Sequence, residues 1–163
     1  MKQHLLLTSH WSIKGLFLFR ICVETPVYPT EDIDKVVRAI LNLFSFRQDE
    51  VFIEKGRVIG RSNRVEVLDK FFEQIRKQRI LDTTREILME NKRENKTIFL
   101  LNKQVAFIGK VSYPPDENSS PLGPVSVEIE CSSIDRLIDW LAPYTISGKP
   151  VKLVEKPLES SDP

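Results

Sequence analysis

Leu100-Leu101-Asn102-Lys103-Gln104-Val105-Ala106-Phe107-Ile108-Gly109-Lys110-Val111 is the most distinctive stretch of this 163-residue chain. Two apolar runs, Ile98–Leu101 and Val105–Ile108, flank a polar triplet, Asn102-Lys103-Gln104. β-Branched and aromatic content marks Thr97–Leu101 and Val105–Tyr113 as strands. The triplet then reads as a polar turn or bulge in the middle of a sheet, its side chains satisfying nearby backbone groups. The chain before it reads as strand, helix, strand, helix, and the chain after it as strand, helix, tail.

Upstream, Leu16–Tyr28 is apolar and aromatic and predicts a strand, with Pro26 suggesting an edge position or an irregular end. Thr30 is a candidate N-cap, and Glu31, Asp32 and Asp34 suit the positive end of a helix. Ile33, Val36, Val37, Ile40, Leu41 and Phe44 follow at i, i+3, i+4, i+7, i+8 and i+11, one apolar stripe of a helix lying on a sheet. Glu50–Ile59 alternates loosely, as a strand or hairpin arm, with Gly56 and Gly60 permitting tight turns. Asn63 and Glu66 form a possible capping box before Leu68, Phe71, Phe72 and Ile75. A second helical segment spans roughly 81–91, with Asp82 as its candidate cap and a bend near Arg79. One long helix fits almost as well. Arg76, Lys77 and Arg79 read as the solvated side.

Downstream, Pro114–Pro124 is a long turn-rich loop. Val125–Cys131 alternates apolar residues with Ser126, Glu128 and Glu130, a strand with one wet face. Ser132 and Asp135 signal another helix start, Ile134, Leu137, Ile138 and Leu141 keep helical spacing, and Pro143 ends it. Val151–Val154 reads as a short strand. The fold class is α+β: a mostly antiparallel or mixed sheet with helices on one face. The expected organisation is an extension over 1–15, anchored at most by Trp11, one domain over 16–152, and a tail over 153–163.

Composition narrows the chemistry. Net charge is +1, so no global field draws the chain to a polyanion. The charge is unevenly spread, however. Residues 54–110 carry fourteen basic and eight acidic side chains, whereas residues 111–163 carry four basic and nine acidic. Such a chain can present one anion-attracting face, or the fold can interleave the segments and scatter the charge. Cys22 and Cys131 are far apart, each in an apolar run, and read as buried free thiols. The two histidines lie near the amino terminus, which argues against most zinc sites, nucleophile triads and histidine acid–base schemes. Gly56 and Gly60 lack phosphate-loop spacing. No cofactor is expected, no run suits a membrane span or signal core, and a cytoplasmic location is inferred.

The order of motifs resembles an archaeal family of small proteins described as predicted RNA-binding proteins or exosome subunits. The resemblance rests on Val27-Tyr28-Pro29-Thr30-Glu31-Asp32, the Leu101–Val111 run, Pro121-Leu122-Gly123-Pro124, and Leu137-Ile138-Asp139-Trp140-Leu141-Ala142-Pro143-Tyr144-Thr145 with Gly148 and Pro150. It covers about residues 16–152. It implies a ribosomal-protein-L-five-like domain and association with RNA, within a ribonucleoprotein or exosome complex, and it supplies no catalytic residues.

Three function classes remain. In the first, a non-catalytic protein contacts RNA phosphates through Arg57, Arg61, Arg64, Lys103 and Lys110, with Asn102 and Gln104 adding polar contacts to backbone or bases. The chain lacks the aromatic spacing of an RRM and the GXXG loop of a KH domain. In the second, it is a homodimeric interaction module without nucleic-acid binding, using a strand edge or sheet face with Trp140, Tyr144 and the Pro114–Pro124 loop. Packing against the sheet is the simpler reading of Trp140. In the third, Asp135 and Asp139, four residues apart on a helix, pair as catalytic carboxylates. With no histidine, glycine loop or metal cluster beside them, they read better as a cap and a wet face, and the chain is expected not to be an enzyme.

Overall fold

The computed structural model describes residues 17–157. The predicted extension, its Trp11 and the last part of the predicted tail lie outside them. Strand β1, Phe19–Pro26, turns Phe19, Ile21, Val23 and Thr25 to a buried face and Arg20, Cys22, Glu24 and Pro26 to the other. That period of two builds a sheet packed on one side only. Strands β2 (Val51–Glu54), β3 (Arg57–Ser62), β4 (Lys96–Asn102) and β5 (Pro124–Cys131) join β1 in the order β2-β3-β1-β5-β4. Every pairing is antiparallel. The α+β class is therefore as expected. The edge position suggested by Pro26 is corrected, because β1 is the central strand. Pro26 is its last residue, so the missing N–H removes no bond from the strand interior, and Val27 N–H resumes pairing with the Gly56 carbonyl at 2.8 Å.

Helices cover the buried face. Helix α1 (Ile33–Leu43) starts at Asp32 rather than Thr30, with the Asp32 carboxylate accepting Asp34 N–H at 3.0 Å. It buries Val36, Ala39, Ile40 and Leu43, a stripe turned from the predicted one so that Ile33 lies near the rim. The expected Asn63–Glu66 box does not form. Instead the Ser62 hydroxyl accepts Arg64 N–H, and a 3-10 turn at Val65–Leu68 leads into α2 (Asp69–Lys77). A break at Arg79 separates α2 from α3 (Leu81–Glu90), which supports two helices over one. Asp82 does not cap α3 and instead accepts the Thr145 hydroxyl. Helix α5 (Ile134–Leu141) ends before Pro143. The strand expected at Val151–Val154 is replaced by a hairpin of β6 (Thr145–Ile146) and β7 (Lys149–Pro150), turned through Ser147 and Gly148, both at positive φ.

The second predicted strand of the opening stretch is also corrected. Residues Lys103–Phe107 form a short helix, α4, and β4 ends at Asn102 as an edge strand. The polar triplet therefore terminates a strand at the sheet's edge and does not sit mid-sheet. A four-residue apolar run is one turn of helix as readily as a piece of strand, so content alone cannot separate them. What decides is the Asn102 side chain, which accepts Val105 N–H at 2.9 Å, and Gly109, whose φ of 82° ends the turn. Asn42 on α1 donates to the carbonyls of Ala106 and Phe107, pinning α4 against α1.

A line of rings joins the two layers. Phe44 stacks on Phe71 at 5.6 Å, Phe71 meets Phe99 at 5.8 Å, and Phe99 meets Tyr113 edge-on at 6.3 Å. The Tyr113 hydroxyl lies 2.6 Å from that of Thr84, and burial pushes its pKa up. Cys131 is buried and Cys22 half-buried, both free; burial raises the Cys131 thiol to about 11. Phe46 lies over Gly60 in β3, where a β-carbon would stand 2.6 Å from the Phe46 ring. A Gly60→Ala substitution is thus expected to force Phe46 off its rotamer and destabilise the fold by about 1–3 kcal/mol, read from the midpoint of urea unfolding.

Candidate nucleic-acid interface

The seven residues expected to meet RNA fall into three different situations. The triplet is the first. Lys103 is 3% exposed, and its ammonium lies 2.6 Å from the Leu122 carbonyl, 2.8 Å from that of Pro26, and 3.1 and 3.2 Å from the carboxylate oxygens of Glu31. An ammonium has three donors, and all three are spent. Burial lowers its pKa from the usual lysine value, against the pull of Glu31. Asn102 spends its oxygen on the α4 cap. Gln104 is exposed, and its Oε1 accepts a long bond from the Ser120 hydroxyl at 3.4 Å. Two of the three are therefore structural.

Arg57, Arg61 and Arg64 lie on or beside β3. Arg64 is committed: its guanidinium bonds both Glu50 oxygens, at 2.6 and 3.0 Å, and the Ser45 carbonyl. That pair, with help from Arg47 N–H and the Ser62 hydroxyl, holds the Glu50 carboxyl down at about 2 against an ordinary 4.5. Arg57 and Arg61 share the uncovered face of the sheet, set by pairing of Arg57 with Pro26 and of Arg61 with Cys22. Arg57 pairs with Glu24 at 3.4 Å and Arg61 hydrogen-bonds Cys22. The same face carries Arg20 bonded to Glu130 and Lys96 bonded to Glu128, while Glu54 lies opposite Arg57. Four cations thus stand among four carboxylates. The uncovered face is charge-balanced and does not form a basic stripe.

Lys110, exposed, belongs elsewhere. The Gln78 side chain donates to the Val111 carbonyl at 2.9 Å and accepts Val111 N–H at 2.8 Å. This double bond brings the segment after α4 against the end of α2, where Lys77 and Arg79 flank Gln78. Around the corner lies a cavity of about 330 Å³ lined by Arg76, Arg79, Leu81, Asp82, Thr145, Ser147, Gly148, Lys149 and Pro150. Among the described residues the side chains of Lys77, Arg79, Lys110 and Lys149 have neither an ion pair nor a hydrogen bond.

Arg76 was the least legible of these groups, since its place on the polar side of α2 predicts solvent. Its guanidinium lies 3.4 Å over the Phe72 ring and donates to the carbonyls of Phe72, Leu141 and Trp140. It closes the end of α5, and burial lowers its pKa against the pull of Glu73. Only the Pro143 stop hinted that carbonyls at 140–142 would need donors. Trp140 is buried in the core and stacks on Phe72 of α2 at 4.8 Å. Asp135 and Asp139 bond Lys92 and Arg85.

An antiparallel sheet with one uncovered face and a basic corner among its helices is the class of molecule in hand, and comparisons place it further. A family model described as RNA binding matches residues 20–131. A UPF0201 protein of Sulfurisphaera tokodaii is 41% identical over 145 residues, covering 88% of this chain and 99% of that protein. A crystal structure of an uncharacterized UPF0201 protein, 38% identical, superposes with a TM-score of 0.68 over 81% of this chain and 99% of the other. The UPF0201 protein of Methanococcus jannaschii, solved at 2.2 Å resolution, is 29% identical with a TM-score of 0.66, covering 82% and 99%. The chain belongs to this family of archaeal UPF0201 proteins, the family described as RNA binding.

Removing Lys103 strands Glu31, whose side chain is only 10% exposed. Lys103→Ala is expected to cost about 3–5 kcal/mol, the usual penalty for an uncompensated buried charge. Lys103→Met with Glu31→Gln should cost clearly less than the two single changes summed, and chemical denaturation of the four proteins measures the coupling.

Proposed function

We propose that the protein is a non-catalytic, RNA-associated protein and that its phosphate contacts lie at the α2–α3 corner. The observation that carries this reading is the group of cations there, Lys77, Arg79, Lys110 and Lys149, whose side chains make no ion pair among the described residues. Phosphate binding gains from cations whose field is not already spent. On the sheet face Arg57 would have to exchange Glu24 for a phosphate and Arg61 sits against Cys22 in a charge-balanced surface, while Arg64 and Lys103 would have to break buried bonds. The family description supports RNA as the polyanion. Action inside a ribonucleoprotein assembly, the exosome among them, and a cytoplasmic place fit the same reading. Labelled RNA is expected to bind with affinity that falls as salt rises. Lys77→Glu, Arg79→Glu and Lys110→Glu together should weaken binding at least about tenfold at 0.1 M salt, whereas Arg57→Glu with Arg61→Glu should matter far less. The opposite order of effects, in folded variants, returns the contact to the sheet face.

A second reading has its own observation. The uncovered sheet face exposes Phe52 and Ile98, each 43% exposed, between ion pairs of both signs. Balanced charge around apolar residues suits a protein partner, including a second copy, better than a polyanion. If a homodimer forms there, Phe52→Glu with Ile98→Glu should convert a dimer to a monomer in sedimentation equilibrium. A native monomer at the highest concentration reached would remove self-association.

A further inference from the structure

Beside the basic corner the chain presents an aromatic ring in an unusual setting. Tyr144 immediately precedes Thr145, which lines the cavity, and is 66% exposed. One face of its ring carries the Arg85 guanidinium at 3.9 Å. Arg85 is itself held by Asp139 at 2.9 Å and by the Ala142 carbonyl at 3.2 Å. The ring is therefore propped from behind by a fixed cation. Its backbone is fixed as well, by Val151 N–H to the Tyr144 carbonyl at 2.8 Å, and the Thr145 hydroxyl bonds Asp82 at 2.8 Å. A rigid, exposed aromatic that buries no second face is a platform for a planar group.

The cavity supplies the complementary chemistry. Three of its lining residues, Arg76, Arg79 and Lys149, are cationic and one, Asp82, is acidic. Arg76 spends three of its five N–H groups on carbonyls, so two remain. Arg79 is more telling. At the end of α2 its N–H bonds the Arg76 carbonyl at 3.1 Å and Ile80 N–H bonds the Ile75 carbonyl at 3.0 Å, the two bonds of a Schellman cap. Arg79 holds the left-handed position at φ 58°, where glycine is the unstrained choice. A glycine would end this helix more cheaply. The side chain retained there stands over the cavity.

We propose that this corner is a nucleotide site for single-stranded RNA, with a backbone phosphate in the cavity among Arg76, Arg79 and Lys149 and the adjacent base stacked on the open face of Tyr144. The inference rests on the RNA-associated reading above and adds to it the strand state and the base contact. Stacking on an aromatic beside a cationic groove accepts any base, so the site recognises single strands without reading sequence. A base inside a duplex cannot reach the ring, so duplex RNA would use the cations alone.

The test is fluorescence anisotropy on the full chain with a labelled 12-nucleotide single strand and its duplex, across a salt series. Tyr144→Ala is expected to weaken single-strand binding about 5- to 150-fold, as for one lost base stack, with little effect on duplex, and Tyr144→Phe to restore it. Arg79→Ala with Lys149→Ala should lower the slope of log affinity against log salt by about 0.7, the worth of the one phosphate they hold. Arg79→Gly should weaken binding while leaving the melting temperature unchanged or higher, which separates lost contact from lost fold. If the native chain binds RNA and these variants bind it equally well, the nucleotide site is overturned and the RNA-associated reading stands. If the native chain binds neither RNA at low salt, both fall. Equal loss on single strand and duplex with Tyr144→Ala would also overturn the stack.

Discussion

One buried ammonium ties together pieces of this fold that have no other reason to meet. Lys103 sits at the first turn of α4, yet its three donors go to the end of β1, to the loop before β5 and to Glu31 ahead of α1. Two of those acceptors are backbone carbonyls, Pro26 at the last position of β1 and Leu122 in the loop before β5, and a buried carbonyl needs a donor. A charged donor gives stronger bonds than a neutral one, and Glu31 balances the charge so that the interior holds a pair and not an ion. Glu31 in turn accepts Tyr28 N–H at 3.0 Å, fixing the chain's entry into α1. Such a pair need not add net stability over apolar packing, because desolvation offsets the attraction. What it adds is placement. Asn102 caps α4 and Asn42 closes it, so β4, α4 and α1 are registered against one another by polar side chains at the edge of an apolar core.

The same accounting explains why a strongly basic segment does not yield a basic face. Six of the cations in residues 54–110 make ion pairs: Arg57, Arg64, Arg85, Lys92, Lys96 and Lys103. Three of the partners, Glu128, Asp135 and Asp139, come from the acidic last third. Antiparallel pairing of β4 with β5 and packing of α3 beside α5 bring opposite segments together, so their charges cancel locally. A net charge read along the chain predicts a field only when the fold keeps the segments apart. At the α2–α3 corner the cancellation is less complete, because the hairpin after α5 brings Lys149 to the cavity that Arg76 and Arg79 line, where Asp82 is the one acidic lining residue.

What was legible follows from how local each signal is. Strands β1 and β5 announced themselves through alternation, since a half-covered sheet writes its two faces directly into the sequence. The break near Arg79 was visible as an interruption of apolar spacing. Helix α4 was not, because Val105-Ala106-Phe107-Ile108 carries no period long enough to separate helix from strand, and its cap, Asn102, looked equally like a polar bulge. The rank of β1 in the sheet was also hidden, since Pro26 marks an end as well as an edge. Among candidate contacts, Lys103 and Arg64 carried the right charge, but partners 72 and 14 residues away decide whether a charge is free. Arg76 failed in the opposite sense. Its polar-face position is local, while the carbonyls that hold it belong to α5.

Arg79 shows how a functional demand can be separated from a structural one. The end of α2 needs a left-handed residue so that Ile80 can return its N–H to Ile75, and glycine meets that need without strain. A non-glycine residue there costs roughly 1–2 kcal/mol of backbone strain. Nothing in the packing repays it, because the Arg79 side chain makes no bond among the described residues. Lys103 breaks the rule against buried charge and is repaid by three acceptors. Arg79 breaks the rule for helix ends and receives no repayment within the chain. A local rule broken with an internal compensation is a device of the fold. The same breach without one, beside a cationic cavity and an exposed ring covered by Arg85 on one face, points outward to a ligand.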